Sequence, residues 1–189
     1  YMLSSLMSLE GVFYIARWLH FFFGVMWIGH LYYFNFTQGA AMAQADAPTK
    51  SGVVTKLLPI ALYWFRGGAM WTLVSGLVMF RIKGHQQGLQ GAWAVAIGIG
   101  AVLGIAMWAN VWFVIWPAQK IVMASANQVA GGGAALPQAA AAGPRALLAS
   151  RTNTLFSIPM LFFMGAAAHP FFVVTPESNV SAALIVLGI

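Results

Sequence analysis

The sequence contains no cysteine and only three carboxylates among its 189 residues. Without cysteine, disulfides, thiolate metal sites, iron–sulfur clusters and a thioether-linked haem are excluded within these residues. The carboxylates are Glu10, Asp46 and Glu177, and none of them falls inside a long apolar stretch. A proton relay through Asp or Glu within a membrane is therefore excluded, and any metal or haem has to be held by His, Met or oxygen ligands.

The residues that are present are mostly apolar. Hydrophobic residues make up 61% of the chain and charged residues 6%, whereas charged residues make up about a quarter of a soluble domain. This composition predicts an all-α integral membrane protein, a single domain built as a bundle of four to five transmembrane helices. The predicted spans are 11–36, 57–82, 92–116 and 153–174, with 180–189 as a partial fifth span and 117–152 as a linker that begins at Pro117.

The basic residues indicate an orientation. The connectors after the first and third spans carry five of them, and the opposite side carries three: Lys50, Lys56, Lys120, Arg145 and Arg151 against Arg17, Arg81 and Lys83. Because cytoplasmic loops are enriched in Lys and Arg, the N-terminus is predicted to lie outside. The net charge of +6 forms no dense basic stripe, so no nucleic-acid partner is expected.

Histidines within the spans are the strongest functional signal. Ionisable side chains in a membrane usually face the bundle interior or a ligand, and neutral imidazole is a common ligand of metals and haem iron. His20 lies about 13 Å into the first span, and His169 lies about 8 Å from the outer end of the fourth. This similar depth predicts a b-type haem held by His20 and His169, with Arg17, one turn outward of His20, pairing with a propionate.

His30 belongs to a different level. It lies about 15 Å deeper than His20 and is rotated by about 80° around the helix, so the two cannot share one metal. Its depth is closer to that of Arg66 and Asn153, a grouping that predicts a second polar site for a quinone head group or a second haem. The alternatives stay open: a membrane histidine can simply hydrogen-bond to a neighbouring helix, and Arg66 can extend to the interface.

The third span carries tryptophans four residues apart, Trp108, Trp112 and Trp116. Tryptophan is enriched where a helix meets the membrane–water interface. These residues are predicted to form an interfacial belt rather than a cofactor site, and Asn110 between them is predicted to hydrogen-bond a neighbouring helix.

Three segments together resemble a known family. They are WLHFFFGVMWIGHLYYFNF at 18–36, WFRGGAMW at 64–71 and NTLFSIPMLFFMGAAAH at 153–169. They resemble the N-terminal membrane domain of the bacterial membrane urate oxidase family, in a short form that lacks cytochrome c. The resemblance implies a multi-span helical domain in the bacterial inner (cytoplasmic) membrane, and longer members carry a C-terminal cytochrome c that accepts electrons outside the membrane.

Two functions follow as hypotheses. The first is a membrane redox protein, an oxidoreductase if it is an enzyme, that binds haem b and passes electrons from quinol or another substrate to an external cytochrome c. The second is a non-catalytic accessory subunit that packs, within the lipid, against other membrane subunits of a respiratory or photosynthetic complex.

Overall fold

The computed structural model describes residues 5–169, which form helices and no strand. Seven α-helices occur in chain order: α1 (Leu9–Tyr32), α2 (Gly39–Gln44), α3 (Ala47–Gly52), α4 (Leu58–Gln87), α5 (Gly91–Ala109), α6 (Trp116–Ala130) and α7 (Ala139–Ala168). The prediction of an all-helical chain is confirmed for this part of the protein. The proposed partial span at 180–189 and the end of the fourth span lie outside the described residues.

Three π-helical segments join these helices into longer rods. Tyr33–Gln38 links α1 to α2, Val53–Leu57 links α3 to α4, and Asn110–Ile115 links α5 to α6. The result is four rods, with rod 1 spanning 9–44, rod 2 spanning 47–87, rod 3 spanning 91–130 and rod 4 being α7.

The linker predicted at 117–152 is much shorter in the structure, because only residues 131–138 separate rods 3 and 4. Pro117 was predicted to end the third span because proline lacks an N–H and its ring collides with the preceding turn. Instead it occupies the start of α6, directly after the wide Asn110–Ile115 turn. The π-helical turn loosens the ladder where the proline ring needs space, so the rod continues.

Short connections make neighbouring rods antiparallel. Asp46 caps α3 between rods 1 and 2, and Gly88, with φ 72°, ends α4 before Gly91, with φ 71°, opens α5. We call the two ends of the bundle the Gly88 end and the Asp46 end. Rod 1 begins and rod 4 finishes at the Gly88 end, and the 131–138 connection lies at the Asp46 end.

The rods associate as two close pairs, α1 with α4 and α5 with α7. Glycine allows close approach in both. A Cβ at Gly68 would lie 3.0 Å from the backbone nitrogen of Trp27, and one at Gly100 would lie 3.3 Å from Cε of Met164. Small residues of this kind bring helix backbones together in membrane proteins.

One hydrophobic core connects the two pairs. It contains buried residues from all four rods: Trp27, Ile28, Leu31, Leu58, Leu62, Phe65, Ala69, Met107, Val111, Ile115 and Met160. Towards the Gly88 end, the second pair has a separate cluster of Ala96, Ala166 and Ala167. The shared core therefore occupies the middle of the bundle and its Asp46 half.

Candidate functional site

The His20 imidazole is held by rod 2. Its Nδ1 lies 2.9 Å from the backbone oxygen of Thr72 and 3.4 Å from Oγ of Ser75. Since a carbonyl oxygen only accepts hydrogen bonds, Nδ1 carries the proton in the neutral ring, and Nε2 keeps its lone pair. Histidines that ligate metals are commonly oriented by such a bond from the other ring nitrogen.

Gly76 provides the space for this ring. A Cβ at Gly76 would lie 3.0 Å from Cε1 and 3.2 Å from Nδ1 of His20. Both are closer than ordinary van der Waals contact, so the imidazole lies in a recess on α4 that any larger residue would narrow. Half-buried in this recess, His20 has the donor chemistry and the fixed ring orientation that a haem or metal ligand requires.

Helical rise from one contact between α1 and α7 predicts that His169 lies at about the level of His20. The Tyr32 hydroxyl is 2.9 Å from Oγ of Ser157, which sets the register of the antiparallel α1 and α7. His20 precedes Tyr32 by twelve residues, and His169 follows Ser157 by twelve, about 18 Å in each helix.

No hydrogen bond or ring contact within residues 5–169 joins the two imidazoles, and His169 is exposed just after α7 ends. Their pairing on one haem stays a prediction. Arg17 is exposed one turn before His20, and its guanidinium carbon lies 5.9 Å from the Phe21 ring centroid. Its pairing with a propionate is likewise a prediction.

His30 faces a groove between α1 and α4. Its Nδ1 lies 2.7 Å from the backbone oxygen of Met26, so the proton of the neutral ring is again on Nδ1 and the lone pair on Nε2. The structure does not bring His30 together with Arg66 and Asn153. Each of those two makes its own contacts elsewhere in the bundle.

Arg66 is bound to tryptophan rather than to a carboxylate. Its guanidinium carbon lies 3.4 Å from the Trp116 ring centroid and 5.7 Å from that of Trp112, and its Nε donates to the Leu62 oxygen. Cation–π contacts of this type contribute about 0.5–2 kcal/mol. Trp112 and Trp116 thus contact Arg66, and all three tryptophans of α5 and its extension also pack, partly buried, against the shared core. The interfacial belt stays a prediction.

Asparagine links rods 3 and 4. Asn153 is 0% exposed. Its Nδ2 donates to the Met107 oxygen at 2.9 Å, and its Oδ1 accepts from Nδ2 of Asn110 at 2.9 Å. The predicted role of Asn110 in binding a neighbouring helix agrees with this contact.

A second polar link joins rods 1 and 4. It was not predicted from the sequence. Asn35 donates to Oγ of Ser150 at 2.8 Å, and Tyr32 meets Ser157 nearby. Isolated serines and a tyrosine in apolar helices carry no recognisable pattern. A signal existed only in Asn35 and Asn110, because an amide within a span usually binds across helices.

The fold and these contacts define a class of protein: a helical bundle with apolar helices of membrane length that carries carbonyl-held imidazoles. A family model described as "Urate oxidase N-terminal" matches residues 83–189, more than half of the chain. The chain belongs to the urate oxidase N-terminal family, which confirms the resemblance seen in the sequence.

The matched range includes Asn110, Asn153 and His169, whereas His20 and His30 precede it. No curated protein and no solved structure matches the chain. The roles of the histidines consequently depend on the geometry described above.

Proposed function

We propose that this chain is a membrane redox protein that holds a b-type haem through His20 and passes electrons across part of the bacterial inner membrane. The observation that carries the proposal is the bond from His20 Nδ1 to the Thr72 oxygen at 2.9 Å. That bond orients the ring and leaves Nε2 as the basic nitrogen. The recess at Gly76 supports it, since the ring is placed where only a glycine leaves room.

The surface of the bundle supports a membrane location. Two stretches, Leu9–Gln44 and Gly91–Ala130, are long and apolar enough to cross a membrane by length and composition. Every rod also exposes large apolar side chains: Val25 is 73% exposed, Ile60 61%, Phe113 66% and Leu155 65%. A soluble bundle turns its polar face outward, whereas these side chains suit lipid. We infer four spans, with the N-terminus outside as the basic residues indicate.

The residues of the Gly88 half have distinct parts in this proposal. His20 and His169 would hold the haem iron, and Arg17, one turn towards the Gly88 end from His20, would pair with a propionate. A bound haem would supply one-electron chemistry, and this chain's residues would set its position, its exposure and its ligand basicity. A cytochrome c on the outer side of the membrane is the proposed electron acceptor.

The test is the absorption spectrum of the purified full chain, produced with haem supplied and kept folded in detergent. We expect a reduced-minus-oxidised spectrum of a low-spin b-type haem, and its loss in His20→Ala. His85→Ala is the matched control, because His85 is exposed in the last turn of α4, and it should keep the spectrum.

Two results would overturn the proposal. One is a folded protein that takes up no haem, and the other is a His20→Ala variant that keeps the wild-type spectrum. A haem-free chain that co-purifies with a larger respiratory or photosynthetic complex would instead favour the accessory-subunit hypothesis.

A further inference from the structure

An open groove lined by apolar side chains lies beside His30. It runs along the outer side of the α1–α4 pair, has a volume of about 510 Å³ and is lined almost entirely by apolar atoms. Ligand sites typically measure about 300–1,000 Å³ and combine apolar walls with a few polar groups. Here Tyr33 and Trp64 contribute aromatic surface, and His30 contributes an imidazole.

His30 lines the groove and carries a hydrogen-bond acceptor. Because its Nδ1 donates to the Met26 oxygen at 2.7 Å, Nε2 of the neutral ring has a lone pair and no proton. Gln38, a polar residue towards the Asp46 end, follows His30 by eight residues. His30 therefore lies about 12 Å further into the bundle along the helix. At that depth a lipid acyl chain offers no donor to Nε2, and an unsatisfied polar atom is costly in hydrocarbon.

We propose that this groove binds a quinol, an aromatic diol with an apolar tail. One quinol hydroxyl donates to Nε2 of His30, the ring lies beside Tyr33 and Trp64, and the tail follows the apolar wall formed with Ile60. A quinol fits better than its oxidised form, because a quinone oxygen only accepts and Nε2 has no proton to donate. The choice of an electron donor as the ligand rests on the proposed redox function. The existence of the groove and of its acceptor nitrogen is independent of that function.

Gly29 allows the groove to be filled without disturbing the helix. It lines the groove, and a Cβ there would have no neighbour within 4 Å. Gly29→Leu should therefore occupy the site while the bundle stays folded. Gly67 offers the matched control, since a Cβ there also meets nothing within 4 Å and the residue does not line the groove.

The experiment measures binding of decyl-ubiquinol to the purified full chain in nanodiscs, by equilibrium partition under anaerobic conditions. We expect saturable binding, weakened about tenfold in His30→Leu, which corresponds to about 1.4 kcal/mol. Gly29→Leu should weaken it at least as much, and His30→Gln should restore part of it because the amide oxygen accepts. Gly67→Leu and His85→Leu should bind as the wild type does.

The result that overturns the proposal is binding that Gly29→Leu and His30→Leu leave unchanged, or no saturable binding at all. Displacement of the quinol by phospholipid alone, at lipid levels of the native membrane, would also overturn it and would identify the groove as a lipid contact. The haem spectrum of the same samples keeps the two proposals apart. Quinol binding to a haem-free chain would contradict only the proposed function, and a haem-loaded chain without quinol binding would contradict only this inference.

Discussion

The two halves of the bundle are held together differently. In the middle and the Asp46 half, side chains from all four rods meet in one core, and Asn35, Tyr32 and two serines link the two helix pairs. In the Gly88 half, Ala96, Ala166 and Ala167 pack within the second pair alone, and His20 is bound within the first pair. Near this end, Trp93 contacts the first pair, where it lies beside Phe80 and Lys83.

This difference indicates that the two halves have different structural roles. A shared core with buried hydrogen bonds defines one arrangement of the helices, so the Asp46 half fixes the register in which the pairs meet. Counting along the helices from that register predicts His20 and His169 at one level of the Gly88 half, where the described residues form no buried core between the pairs. A cofactor between the histidines would add there the contacts that side chains supply in the other half.

The largest expected effect comes from separating the first pair next to the shared core. Leucine at Gly68 would place a Cβ 3.0 Å from the Trp27 nitrogen and 3.2 Å from the Phe23 oxygen, and backbone atoms cannot move aside as a side chain can. We expect a loss of about 3 kcal/mol in unfolding free energy, the upper part of the range for overpacking. Denaturation in mixed detergent micelles measures it.

Gly67→Leu is the control for this prediction, because the neighbouring position meets nothing within 4 Å and gains the same helix propensity. Equal stabilities of the two variants would contradict the close approach of α1 and α4.

The second effect tests the polar links. Asn153→Ala removes the partly buried acceptor of the Asn110 amide and the buried donor to the Met107 oxygen. Hydrogen bonds between membrane helices contribute about 0.6–2 kcal/mol each, so a loss of about 2 kcal/mol is expected. Asn127→Ala, at an exposed position of α6, should change stability by less than about 0.5 kcal/mol. An unchanged melting temperature in Asn153→Ala would mean that the Asp46 half does not depend on these bonds.

A third variant addresses the Gly88 half and should separate stability from cofactor binding. In Gly76→Ala the new Cβ meets only the His20 ring, at 3.0 Å from Cε1, and alanine gains about 1 kcal/mol of helix propensity. The melting temperature should thus change little, while the displaced imidazole weakens the bond to Thr72 and lowers haem content. Gly98→Ala, where a Cβ meets nothing within 4 Å, should raise the melting temperature through the same helix propensity and leave the haem content unchanged. A Gly76→Ala protein with full haem content would show that the recess does not position His20.

The sequence was sufficient to predict features that depend on long runs of residues, such as the helices. Long apolar stretches identified the helices, and counting along them predicted a similar depth for His20 and His169, which stays a prediction. It could not predict what depends on helix rotation. His30 lies on a groove rather than beside Arg66, because the core face of α1 is formed by Trp27, Ile28 and Leu31.

The continuation of rod 3 through Pro117 also could not be predicted. It depends on a π-helical turn at Asn110–Ile115, and no characteristic amino-acid composition marks such a turn in a sequence. Likewise, Trp116 could be assigned to Arg66 only once the pairs were docked, since an indole is equally suited to an interface and to a cation.

The smallest expected effect lies outside the apolar helices, at the connection that gives the Asp46 end its name. Asp46 accepts from the Thr49 N–H at 2.9 Å as the N-cap of α3, and its hydrogen bonds with Thr49 hold the pKa of this carboxyl below its ordinary value of 3.8. A carboxyl whose pKa is lowered in the folded state stabilises the folded state at pH values above the unfolded-state pKa. This stabilisation is lost as the pH falls through the folded-state pKa.

Asp46→Ala should therefore lower the melting temperature slightly at neutral pH and progressively less below about pH 4. Asp46→Asn keeps an acceptor at the cap but cannot titrate, so its melting temperature relative to Asp46→Ala should not depend on pH. A pH-independent difference between the wild type and Asp46→Ala would contradict the cap and confine the stabilising contacts of this half to the interior of the bundle.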